Sequence, residues 1–290
     1  MLSGTWYLDP YLVPTGTPLE DWITIMSAEA HGSTIGIIGA GRVGKALGAA
    51  FAEAGHLVTF GSTEADLVIL AVPDDALAGV VATLDVRAGQ VVAHTSGAHG
   101  IGVLAPAVAR GARPLALHPA MTFTGRPEDL ERLRKGISFG LTAPPDVRPF
   151  AQALVAELAG TPEWIDEDRR VLYHAALAHG ANHLVTLVNE ALDRLRDAGV
   201  VAPEKVLDPL LHAALSNTLR LRDAALTGPV SRGDAGTVAG HLAALADAAP
   251  ESVPAYRALA RRTAERAVAA GLLTPDQAAP IIAPSTEVAG

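Results

Sequence analysis

The chain has 290 residues, of which 49% are hydrophobic and 18% charged; that is enough apolar material for one large or two modest globular domains and excludes a disordered chain. A net charge of −9 argues against nonspecific binding to nucleic acid, and the lack of cysteine excludes disulfides, thiolate metal sites and thiol nucleophiles. No uncharged apolar run reaches 18 residues, so no membrane-spanning helix is expected.

Residues 1–33 read as an N-terminal extension. The first 25 hold two of the three tryptophans and no Lys or Arg, so they lack the basic start of a secretory signal and the arginines of a transit peptide. Met26 is a natural start before the first strand. The extension is expected to be a loose segment ahead of that start, or else an arm that packs on a partner subunit.

A dinucleotide-binding domain is expected over residues 34–166. In "TIGIIGAGRVGKALGAAFAEAGHLVTF" an apolar run, Ile35 to Ile38, leads into Gly39, Gly41 and Gly44 in G-x-G-x-x-G spacing. A helical stretch to about Ala54 and a second β-rich run, Leu57 to Phe60, follow. Strand, glycine turn, helix and strand in that order are the context the motif needs. Gly39 permits the tight turn, Gly41 lets backbone N–H groups approach a pyrophosphate, and Gly44 lets the helix pack closely. The helix N-terminus then offers unpaired donors to the anion. After Phe60, where an Asp or Glu would hold a ribose 2′-hydroxyl, stand Gly61, Ser62 and Thr63. No carboxylate there repels a 2′-phosphate, and Ser62, Thr63 and Arg42 can bind one, so NADP(H) is expected over NAD, with Glu64 and Asp66 close by as the opposing feature.

The next apolar run, "LVILAVPD", begins at Leu67. Gly61 to Asp66 is too short for a crossover helix, yet at about 3.4 Å per residue it spans roughly 20 Å. Either the usual helix and third strand are missing, or "HLVTF" and "DLVIL" form a hairpin. Both options make the adenosine side of the site shallow. Further strands are expected over Gln90–Ser96, Arg113–Pro119, Gly136–Ala143 and Thr161–Asp166, with a helix over Pro145–Leu158. The pattern is that of a mostly parallel α/β sheet of Rossmann type, shortened after its second strand.

From Glu167 the strands stop, and residues 167–290 read as an all-helical substrate and dimerisation domain. One long pattern ends at Gly199; apolar residues nearly surround its middle, which predicts a buried central helix. Helices are also expected over Pro203–Ala225, Ala235–Ala248, Val253–Ala270 and Thr274–Ile282. A sheet domain followed by a helical one makes the cleft between them the default substrate site.

The segments "IIGAGRVGKAL", "ADLVILAVPDDAL", "HTSGA", "LALHPAMTF", "YHAALAHGANHL" and "LTGPVSRGD" resemble, in this order over about Thr34 to Ile282, the Rossmann-like proteins with a C-terminal helical domain of formerly unassigned function. These sit in the larger group that includes 6-phosphogluconate, 3-hydroxyacid and ketopantoate reducing enzymes, pyrroline-carboxylate reductase and prephenate dehydrogenase. The resemblance implies a cytoplasmic, dimeric NAD(P)-dependent oxidoreductase. The cofactor contacts are expected at Gly39, Ala40, Gly41, Arg42, Val43, Gly44, Ser62, Thr63, Val72 and Pro73. One departure is the short segment after Phe60. The other is that 3-hydroxyacid and ketopantoate enzymes carry a proton-donating Lys four residues before an Asn. Asn182 is present, but Ala178 stands where that Lys would be, and the chain's three lysines, Lys45, Lys135 and Lys205, lie elsewhere.

Carbonyl reduction needs a proton donor, a hydrogen bond to the developing oxyanion and an anchor that aims the substrate. His174 is the preferred acid and Asn182 the group that orients the carbonyl; they lie about 80° apart on a straight helix. His118, in "LHPAMTF", is a candidate for the nicotinamide pocket. Thr95 and Ser96, at the C-terminal edge of the sheet, are candidates for substrate contact. Arg232, in "GPVSRGD", is the candidate anchor for a substrate carboxylate, with Asp234 available to cap the next helix. His179 and His183 stand one helical turn apart, but no H-E-x-x-H pattern accompanies them, so no metal is expected. Ketopantoate, reduced to pantoate, is the leading substrate. The alternatives are a nucleotide-binding protein without turnover and a prephenate- or imine-type reductase.

Overall fold

The computed structural model describes residues 32–282, so the expected extension and the Met26 start lie outside the described residues, except for Gly32 and Ser33. Two compact units divide at Asn182 and His183.

The first unit is built on a seven-stranded sheet in the order β2-β1-β3-β4-β5-β6-β7, comprising β1 (Thr34–Ile38), β2 (Leu57–Phe60), β3 (Leu67–Leu70), β4 (Val91–His94), β5 (Arg113–Pro119), β6 (Ser138–Thr142) and β7 (Thr161–Trp164). β1 to β5 are mutually parallel; β6 runs antiparallel to β5 and parallel to β7. Helices cover both faces, which is why β3 and β4 are buried at every position rather than alternating, with His94 the one polar residue in the two strands. On one face Leu67, Ile69, Val91 and Ala93 pack with Leu47 and Phe51 of α1 (Arg42–Glu53); α2 (Asp74–Thr83) covers the other. The first face continues through Leu133 of α3 (Glu128–Arg134) and Phe150 and Leu154 of α4 (Arg148–Glu157). On the other face Val68, Leu70 and Val92 pack with Leu77 and Val81 of α2.

β2 and β3 flank β1 on opposite sides and both run parallel to it, so the hairpin alternative is excluded. Residues Gly61 to Asp66 instead cross β1 on the face that Gly36 presents. The Gly61 amide donates to Ile37 O at 2.9 Å and the Asp66 amide to Thr34 O at 3.0 Å, so the link runs back along the strand. It lies so flat that a Cβ on Gly36 would strike the Ser62 carbonyl oxygen. Gln90 Nε2 donates to the carbonyls of Thr63 and Ala65 and Arg87 Nη2 to that of Ala65, which fastens the link from the β4 side. Six residues with neither helix nor strand among them thus stand in for a helix and a strand.

Residues 167–182 close the first unit with α5 (Arg170–Leu177) and a π turn, Ala178–Asn182. The second unit holds α6 (His183–Asp197), α7 (Pro203–Leu221), α8 (Ala235–Ala248), α9 (Val253–Ala269) and α10 (Pro275–Ile282). Its core is made mostly of small residues, Ala260, Ala264, Ala267 and Ala278 with Val238, Leu273 and Ile281. The buried central helix expected after Glu167 is corrected: in α5 only Arg170 is buried and in α6 no residue is, while Val171, Leu172, Val185 and Leu187 are exposed. The apolar positions are real, but nothing among the described residues buries them.

Candidate functional site

The glycine turn after β1 forms as the motif requires. Gly39 has φ 111°, a left-handed value, and a Cβ there would strike Ala71 O and stand 3.3 Å from Val72 Cγ1. A Cβ on Gly44 would strike Gly39 O, so the turn and α1 are in direct contact. Gly41 caps α1 with no side-chain hydrogen bond, and a Cβ on it would meet nothing within 4 Å. Ala40, Gly41 and Arg42 are exposed and Val43 is half-buried. An open approach to an uncapped helix N-terminus fits a pyrophosphate. At the ribose end, Ser62 Oγ accepts from the Glu64 amide at 3.1 Å and keeps its own proton to donate; Thr63 is half-buried. Arg42 Cγ packs by Gly125, with the arginine exposed, and Pro73 starts α2 from an exposed position.

At the same C-terminal edge of the parallel strands a second cluster gathers around Arg170. This side chain is fully buried, and its N–H groups go to carbonyls: Nε to His99 O at 3.0 Å, Nη1 to Gly140 O at 3.0 Å and Nη2 to Ser96 O at 2.6 Å. It thereby ties α5 to the loop after β4 and to the middle of β6. Thr95 donates its amide to Leu70 O. Ser96 is buried, with Oγ 3.0 Å from His99 Nδ1 and accepting from the His99 amide at 3.1 Å.

His118 lies at the end of β5 with Nδ1 2.9 Å from the Tyr173 hydroxyl, and its ring meets that of His174 edge-on with centroids 5.9 Å apart. A Cβ on Gly97 would come within 2.6 Å of His174 Cδ2 and 3.0 Å of His118 Nε2, so both rings close over that glycine. Burial, reinforced by the Arg170 charge, pushes His118 down to about 4, and burial does the same to His94, whose Nε2 lies 2.9 Å from Gly100 O. Both imidazoles are therefore neutral near pH 7. Burial pushes Tyr173 up, with Arg170 opposing it.

Of the residues singled out in the sequence, His118, His174, Thr95 and Ser96 lie at this edge, beside Arg170, Tyr173, His94 and His99, which were not singled out. Asn182 is exposed and is the last residue of the π turn. A π turn inserts about one residue, which turns the following chain back by roughly 100° and leaves His174 and Asn182 about 20° apart rather than 80°. Arg232 belongs to the second unit, where it is exposed; Asp234 caps α8, accepting from the Thr237 amide at 3.0 Å. Among the described residues no group of three His, Asp or Glu side chains is placed to hold a metal ion, and no helix is long and apolar enough to cross a membrane.

Residues 59–119 match the family model described as a Rossmann-like domain, and residues 137–263 match a domain of unknown function, DUF2520. No curated protein matches this chain. A Bacteroides fragilis protein provisionally assigned as an NADP oxidoreductase shares the fold at 22% identity and a TM-score of 0.68, over 80% of this chain and 98% of that one. A Thermotoga maritima protein whose name carries no activity matches at 20% identity and 0.65, over 82% and 99%. The reductive aminase of Aspergillus terreus, solved with NADPH and ethyl levulinate, matches at 19% and 0.59, over 87% and 99%.

Proposed function

We propose that this protein is an NADP(H)-dependent oxidoreductase that reduces a small carbonyl acid, with ketopantoate as the leading substrate, and that it works as a homodimer in the cytoplasm. The observation that carries the reading is the coincidence, at one edge of one sheet, of an open glycine cradle and a pair of facing histidines, His118 and His174. Hydride transfer needs a bound nicotinamide beside a proton donor, and this edge supplies the means for both. NADP(H) is favoured because Ser62 and Thr63 stand where a carboxylate would repel a 2′-phosphate. The fold neighbours named for NADP or solved with NADPH support the same cofactor. The histidine pair gives the proton, Asn182 orients the carbonyl, Thr95 and Ser96 line the edge, and Arg232 anchors the carboxylate.

Imine reduction is the second reading. It is favoured by the likeness to the reductive aminase and by the missing lysine, since an iminium arrives already protonated. Fluorescence titration with NADPH and NADH, followed by turnover of 2-oxo acids and cyclic imines, tests both. Tight NADPH binding, turnover of an oxo acid, and a loss of about 10²-fold or more in at least one of His174→Ala, Asn182→Ala and Arg232→Ala are expected. Binding of neither nucleotide would leave inheritance of the fold without the activity.

A further inference from the structure

Tyr173, His118 and Arg170 are held together more tightly than the shape of a pocket requires. A Cβ on Gly140 would stand 2.5 Å from the Tyr173 hydroxyl oxygen, so a glycine in the middle of β6 is what lets that hydroxyl reach His118. The Tyr173 and His118 rings lie at 88° with centroids 5.6 Å apart, and the phenol oxygen stands 2.9 Å from Nδ1. The Arg170 guanidinium carbon lies 5.6 Å from the centre of the Tyr173 ring, and Arg170 is itself fixed by three carbonyls. The other side of the His118 ring, with Nε2, turns to Gly97 and His174.

These contacts admit a tautomer in which Tyr173 is the donor. Burial pushes the phenol up, with Arg170 opposing, so it keeps a proton that it can donate to the neutral imidazole at Nδ1, which then carries its own hydrogen at Nε2. We propose that Tyr173 and His118 form a proton relay in which His118 Nε2–H protonates the reduced substrate, supplying what the helix lysine supplies in the enzymes this chain resembles. The proposal rests on the reductase reading and decides which histidine of the pair donates. When a substrate carbonyl accepts hydride from a dihydronicotinamide, its π pair moves to oxygen. That oxygen takes the proton from Nε2, Nδ1 takes the proton of Tyr173, and the negative charge ends on a phenolate next to Arg170. Solvent returns the proton to Tyr173. His118 is the catalytic residue; Tyr173 and Arg170 are positioning residues that act through it. His174 packs against the donor edge and shapes the approach to it.

The test uses the full chain and two readouts. Nitrogen-15 NMR of the imidazoles near pH 7 is expected to show His118 neutral with its proton on Nε2, and Tyr173→Phe is expected to shift that ring to a mixture of tautomers. Tyr173→Phe is also expected to lower kcat by about 10²-fold or more while leaving NADPH affinity nearly unchanged. His118 protonated at Nδ1 in the wild-type protein, or an undiminished kcat in Tyr173→Phe, would overturn the relay and leave the reductase reading intact. Wild-type protein that turns over no oxo acid or imine would overturn the reductase reading, and the relay with it, whatever the tautomer.

Discussion

At the residue scale, His94 shows how burial sets protonation. Its ring is fully buried and bonded on both sides, Nδ1 accepting from the Ser96 amide at 3.2 Å and Nε2 lying by Gly100 O. Unfolded, it takes a proton near 6.5; folded, only near 4. Between those values the unfolded chain holds the extra proton, so stability is complete above about 6.5 and drains away as the pH falls towards 4. His94 alone should cost roughly 3 kcal/mol over that interval, and His118 acts in the same direction. Urea melts at pH 7 and pH 4 would measure the slope, and His94→Gln should flatten it. His118 and His174 were legible as candidates because they are titratable and stand in recognisable segments, while His94 and His99 were passed over. Arg170 and Tyr173 were not legible, since their partners are backbone carbonyls and a side chain 55 positions away in sequence. The available signal was an arginine heading an otherwise apolar helical pattern, the one residue of that helix the fold buries.

At the element scale, the short link after β2 was visible as a shortage of residues, and strand spacing alone excluded a helix there. Its path was not visible, because what decides it is the absence of a side chain at Gly36 and the reach of Gln90 from the approach to β4. Gly36→Val should therefore destabilise the protein by about 2 kcal/mol or more, as the new side chain meets the Ser62 carbonyl. Gly79→Ala, in α2 where a Cβ would meet nothing within 4 Å, should be neutral or stabilising by up to about 1 kcal/mol. Denaturant midpoints of the two variants side by side distinguish a steric requirement from a general intolerance of glycine replacement. The π turn escaped the sequence for a different reason: a helical pattern does not reveal one extra residue in a turn, although that residue changes which side chains share a face.

At the scale of the whole molecule, the helical elements were read closely and their surroundings were not. Periodicity found α8 to its ends and α9 and α10 to within a residue, yet it counted apolar positions on α5 and α6 as interior. On α7, Leu210 is 61%, Leu215 54% and Leu219 77% exposed, an extent of bare leucine that single chains seldom present to water. With the proposed homodimer, sedimentation should give twice the chain mass of 29.8 kDa, and Leu215→Asp with Leu219→Asp should return it to one. A single-chain mass for the unaltered protein would remove the dimer from the proposal.

The link across Gly36 carries a consequence for anyone who would re-engineer the protein. In the proposed reading its Ser62 and Thr63 side chains select between two nucleotides, while the Ser62 carbonyl lies against Gly36 of β1 and the Thr63 carbonyl receives Gln90. In a longer crossover those duties fall to separate segments and can drift apart. In this chain preference and robustness share one tether, so a library that varies residues 61–66 for cofactor choice selects at the same time on whether the sheet closes.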